Sequence, residues 1–100
     1  MSEIPGTLQR EAFRKGDIIR HFKRDFLSEE EKKGTMYLYE VIGIAKHTEE
    51  PESMLVYKAL YPPFSMYCRP VRMAMSYVDT NNYPDAKQEY RLELYNPKED

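Results

Sequence analysis

The chain has few of the groups that staple or metallate small proteins. Cys68 is its one cysteine, which excludes an intrachain disulfide and a cysteine-rich zinc cluster. The other nitrogen or sulfur ligand candidates are His21 and His47. With Cys68 they do not fall at the spacing of a known zinc motif, so neither a metal nor another cofactor is expected. No apolar run is longer than residues 41–45, even counting Gly43. That is far below the roughly 20 residues of a membrane-spanning helix, and no membrane partner is expected. Neither charge sign dominates: 15 Lys and Arg stand against 17 Asp and Glu, a net charge of −2. Bulk electrostatics therefore steer the chain toward neither nucleic acid nor an anionic membrane. No glycine-rich phosphate loop, GxSxG elbow or paired-carboxylate signature occurs. Residues 1–6 lack a basic stretch followed by an apolar one, so no secretory signal is expected. A reduced, cytoplasmic protein is the simplest expectation. Tryptophan is absent, yet there are 9 Tyr and 4 Phe, so the aromatic content lies mainly in rings that carry a hydroxyl.

What is present describes one globular domain. Hydrophobic residues at 41% beside 32% charged residues suit a modest core rather than disorder. The expected organisation is a tail or short helix over residues 1–14, a single domain over 15–95 and a charged tail over 96–100. Thr7 is placed to cap a short helix over residues 8–13, which Arg14-Lys15-Gly16 would end. Residues 17–22 read as a first strand, with Ile18, Arg20 and Phe22 on one face and Ile19 and His21 on the other. In residues 25–34, Ser28 and Glu31 have capping-box spacing, and Gly34 is positioned as a left-handed stop. The charge run there reads as a solvated face of one or two helical turns.

Residues 36–47 carry Tyr37, Tyr39, Val41, Ile42 and Ile44, all favourable in strands. Gly43 is the natural place for a bend or bulge in so long a strand. The polar, Pro-containing residues 48–53 form a hairpin loop. Residues 54–61 return as a strand that Pro62-Pro63 stops, since neither proline donates to a ladder. Residues 65–69 make a short strand ended by Pro70. Residues 72–78 read equally as helix turn or strand, Asn81-Asn82 and Tyr83-Pro84 mark a turn, and residues 88–95 read as the last strand. The fold expected is mainly β: a small barrel or roll of about five strands, with a short helical insertion between the first and second.

The ordered series Gly16-Asp17, His21-Phe22-Lys23, Tyr39-Glu40-Val41, Ala45-Lys46-His47-Thr48-Glu49, Val56-Tyr57-Lys58-Ala59-Leu60-Tyr61 and Arg69-Pro70 with Met73 resembles a bacterial family catalogued as domain of unknown function 1653. The resemblance covers residues 16–78 and implies an SH3-like small β-barrel. It implies no established activity. The chain departs from the family pattern in residues 24–36, which lengthen the first connection, and at Glu50-Pro51, Cys68 and Ala74.

Three functional readings follow. The preferred one is a non-enzymatic SH3-like binding module for a small ligand, peptide or protein partner. Its surface would combine His47, Thr48 and Glu49 at the hairpin mouth with Tyr57, Tyr61 and Arg69. Arginine offers a planar fork for carboxylate or phosphate, tyrosines can line a groove for extended peptides, and loops at strand ends carry function. Against this, His47 and Thr48 can simply tie down the hairpin, Arg69 can pair with Glu40 or Glu49, and the tyrosines can rim the core. The second reading is a small hydrolase-like enzyme using His47 with Glu49. The third and least favoured is a nucleic-acid-binding barrel using Arg20, Lys23 and Arg24 from the locally basic residues 10–24. Cys68 reads as a small core residue.

Overall fold

Runs of β-branched and aromatic residues set out the strands, and the turns between them fix antiparallel pairing. The structure, a computed structural model, describes residues 12–100. Strand β1 (Ile18–His21) pairs with β2 (Leu38–Lys46), which pairs with β3 (Ser53–Ala59) and, through it, with β4 (Met66–Pro70). Strand β5 (Leu92–Leu94) adds to the other side of β1, giving one open antiparallel sheet in the order β4-β3-β2-β1-β5. The one α-helical turn among the described residues, α1 (Val71–Ala74), follows β4 directly. The mainly β class and the five strands match the expectation from sequence. No helix among the described residues is long and apolar enough to cross a membrane. The expected helix over residues 8–13 falls largely outside the described residues.

One face of the sheet carries the core. Ile19, Tyr39 and Ala59 stand opposite one another across β1, β2 and β3, and all three are buried. Val41, Tyr57 and Tyr67 form the next row. Phe13, Ala74 and Met75 close over this face, with Tyr61 and Val71 at its margin. Ile19 and Val41 are fully buried, so each contributes about 1.5–3 kcal/mol of apolar burial. In β2 the register shifts between Val41 and Gly43, so Ile42 is the extra residue of a bulge. The bend falls where the glycine predicts it.

Several local expectations need correction. The 3-10 turn Phe22–Phe26 takes Phe22 out of β1. The capping box does form, with Ser28 N–H donating to Glu31 Oε1 at 2.9 Å and Glu31 N–H to Ser28 Oγ at 3.1 Å. However, it caps only the 3-10 turn Glu31–Lys33, and Gly34 is extended (φ −94°) rather than left-handed. Its carbonyl and those of Lys32 and Met36 instead accept from the Arg24 guanidinium, so the insertion wraps around that side chain. The last strand is three residues long, not eight. Glu93 Oε2 takes the N–H groups of Glu89 and Tyr90, and the Gln88 amide donates to three carbonyls, so side chains satisfy groups that a longer ladder would use. Cys68 is exposed, not in the core. It stands opposite Val56 on edge strand β4, one residue out of step with the Tyr57–Tyr67 pair of the core face.

Candidate anion-binding cleft

The register of the sheet, rather than any local motif, assembles the most distinctive site. His21 ends β1, and the 3-10 turn that follows holds Lys23. Arg69 lies on β4, opposite Leu55. Arg91 immediately precedes β5, and its N–H and carbonyl are fixed by Ser76 O and Phe22 N–H. Asp79, Asn82 and Tyr83 come from the turn between α1 and β5. Together with Phe22 these residues line a cleft of about 260 Å³.

Its electrostatics are unusual for a chain of net negative charge. Lys23, Arg69 and Arg91 face a single carboxylate, that of Asp79. None of the three cations is ion-paired with a described residue. Asp79 is held by its own turn, accepting from Asn81 N–H at 3.0 Å and from Asn82 Nδ2 at 2.7 Å. His21 registers the resulting field. Burial, then the charges of Lys23, Arg69 and Arg91, lower its pKa to about 4, so the ring is neutral at physiological pH. Its Nδ1 accepts Lys23 N–H at 3.1 Å, which leaves the proton on Nε2. The His21 side chain is only partly buried, and its Nε2 forms no hydrogen bond with a described residue. The ring itself stacks on Phe22 at 4.6 Å, and Phe22 packs edge-on against Tyr83 at 4.8 Å. The cleft thus offers three cationic heads, a neutral imidazole N–H and an aromatic wall.

The residues singled out from sequence divide among separate places. His47, Thr48 and Glu49 are exposed at the β2–β3 hairpin tip. There His47 Nδ1 accepts the N–H groups of Glu49 and Glu50 at 2.9 and 3.1 Å, and Thr48 Oγ1 donates to Glu49 at 3.1 Å. These residues line none of the described cavities. The hollow beside them, about 600 Å³, is lined by residues 50–53, Val71 and Arg72, and Arg72 is paired with Glu52 at 2.8 Å. Tyr57 and Tyr61 belong to an aromatic cluster with Tyr39 and Tyr67, tied by a Tyr39–Tyr61 hydroxyl bond of 2.6 Å. Burial raises the Tyr57 and Tyr39 pKa values, and for Tyr39 the Tyr61 hydrogen bond adds to the rise. Arg69 pairs with neither Glu40 nor Glu49 and joins His21 in the cleft.

Arg20 and Arg24 are committed elsewhere. Arg20 binds Asp25 at 2.8 Å, Asp100 at 2.9 Å and Gln88 at 2.6 Å. Arg24 is fully buried and bound to Asp100 at 2.6 Å. Of the three basic residues considered for nucleic acid, only Lys23 faces an open cavity without an ion pair to a described residue. The cavity beside the Arg20–Asp100 pair, about 330 Å³, is lined by Asp25, Glu29, Glu93, Glu99 and Asp100 among others, and is acid-rich. Nothing in the sequence marked Arg91, Asp79 or Tyr83 as site residues. Arg91 sits in a plain alternating stretch, and no short-range signal ties it to Arg69.

A family model described as Protein of unknown function (DUF1653) matches residues 17–92. No curated protein and no solved structure matches the chain.

Proposed function

We propose a binding function for this chain, which belongs to the DUF1653 family: it is a non-enzymatic module that seats an anionic group of a small ligand, peptide or protein partner in the cleft of His21, Lys23, Arg69 and Arg91. The observation that carries the proposal is the convergence around His21 of three cations, none of them ion-paired with a described residue. Like charges that outnumber their counter-charges cost stability, and a bound anion would offset that cost. The hydrolase-like alternative has less support, because the His47 ring holds the hairpin backbone and lines no cavity with Glu49. A nucleic-acid strand is also less favoured, since Arg20 and Arg24 are occupied and the cleft suits one anionic group. A reduced, cytoplasmic, bacterial setting is part of the proposal, supported by the lone Cys68 and the family resemblance.

The test is titration of the isotope-labelled protein with phosphate and acetate at low ionic strength. Saturable shifts at the His21 ring and at the Lys23 and Arg91 amides are expected, weakening as salt rises. Absence of saturable change with either anion at low salt removes the proposal.

A further inference from the structure

We propose that the cleft selects a doubly charged, tetrahedral oxyanion of the phosphomonoester type over a carboxylate. This rests on the anion-binding reading above and names its ligand class. Charge count is the first argument. Lys23, Arg69 and Arg91 against Asp79 leave a surplus of two positive charges, which a dianion balances and a monoanion does not. The Asp79 carboxylate is fixed by Asn81 and Asn82, so it stays in the cleft as a standing penalty on weakly charged ligands. Donor placement is the second argument. The planar fork of one arginine satisfies both oxygens of a carboxylate. Here the donors come from separate segments: the end of β1, the 3-10 turn, β4 and the residue before β5. Donors arriving from several directions suit the three terminal oxygens of a phosphomonoester. His21 favours the dianion as well. With Nδ1 engaged by Lys23 N–H, the ring presents an Nε2–H donor without adding charge, and so leaves the charge balance intact.

Phenyl phosphate and benzoate make a matched pair of probes, because they share a ring and differ in the anion. Calorimetric titration at about pH 8 is expected to give phenyl phosphate at least about a tenfold advantage. A phosphomonoester takes up its second proton near pH 6, so the advantage should shrink about tenfold by about pH 5. The titratable or charged groups facing the ligand are His21, Lys23, Arg69, Asp79, Tyr83 and Arg91. Of these His21, with its pKa of about 4, stays neutral through most of that window. Arg69→Gln and Arg91→Gln should each weaken phenyl phosphate about tenfold or more, with unchanged melting temperature as the control for folding. The exposed Lys23→Gln provides a third variant should either arginine variant fold poorly. Methyl phosphate and a phosphoserine peptide then distinguish a free small ester from a phosphorylated partner, and tight binding of either supports the dianion assignment. Benzoate binding as tightly as phenyl phosphate overturns dianion selection while leaving an anion site. Binding of neither overturns the anion reading itself.

Discussion

Arg24 is the residue whose removal should tell most about how this fold holds its long insertion. It is fully buried in a β-rich chain of 100 residues, and every part of its guanidinium is used. Nε donates to both Asp100 oxygens at 2.9 Å, and Nη1 to Met36 O at 2.7 Å. Nη2 donates to Asp100 Oδ2 at 2.6 Å, to Lys32 O at 2.8 Å and to Gly34 O at 3.1 Å. Arg24→Met keeps an unbranched apolar stem but leaves three carbonyls without their donor, at about 1 kcal/mol each. It also strips one of two arginines from a carboxylate that is only 8% exposed. The total is about 3–5 kcal/mol, the range for breaking a buried ion pair. In a domain of this size that lowers the melting temperature by upward of about 12 °C. Urea unfolding followed by circular dichroism at neutral pH measures it. Asp100→Asn keeps the shape and loses the charge, and should cost about 1–3 kcal/mol. The double variant should cost less than the two single losses added, because both act on one contact. The pH dependence has a fixed sign. Burial alone would raise the Asp100 pKa, but the hydrogen bonds and charges of Arg24 and Arg20 together outweigh it and hold the carboxyl below its ordinary value. The stabilisation is therefore complete above the unfolded carboxyl pKa of about 4 and is lost as pH falls through the lower folded value. A cost below about 1 kcal/mol for Arg24→Met would refute the reasoning, since the insertion would then be held by something other than this guanidinium.

Four further outcomes are expected. His21 has a folded pKa of about 4 against about 6.5 unfolded. It should therefore contribute about 3 kcal/mol above pH 6.5 that drains away as pH falls toward 4, and His21→Gln should flatten that part of the urea-stability profile. Phosphate bound in the cleft should raise the His21 pKa, visible as a shifted imidazole titration by NMR, because an anion offsets the three neighbouring cations. His47→Ala removes the acceptor of two hairpin N–H groups; thermal melts should show a loss of about 1 kcal/mol while phenyl phosphate affinity holds. Tyr61→Phe breaks the Tyr39–Tyr61 hydroxyl bond and should cost about 1 kcal/mol by urea unfolding, with the Tyr39 pKa moving back toward the ordinary phenol value.

The sequence by itself determined whatever depends on neighbours within a few residues. The Ser28–Glu31 capping box, the bulge beside Gly43, the hairpin loop after His47 and the stop at Pro62-Pro63 all follow from local sterics and hydrogen bonding, and each was legible. So was the run of β-favouring residues that makes β2 a strand. The family segments His21-Phe22-Lys23 and Arg69-Pro70 were legible too, but not that they meet. That was decided by the order β4-β3-β2-β1-β5, which depends on pairings between residues far apart in the chain. The same non-local decisions turned Cys68 outward on an edge strand and buried Arg24 around a carboxylate 76 positions away. They also brought Arg91 to Arg69. A charge run or a lone arginine carries no record of its eventual partner, because Coulomb forces and burial act through space rather than along the chain. The tyrosines show both sides: the placement of Tyr39, Tyr57 and Tyr67 on strands could be read directly, whereas only packing put Tyr57 in the core, bonded Tyr61 to Tyr39 and left Tyr83 beside the cleft.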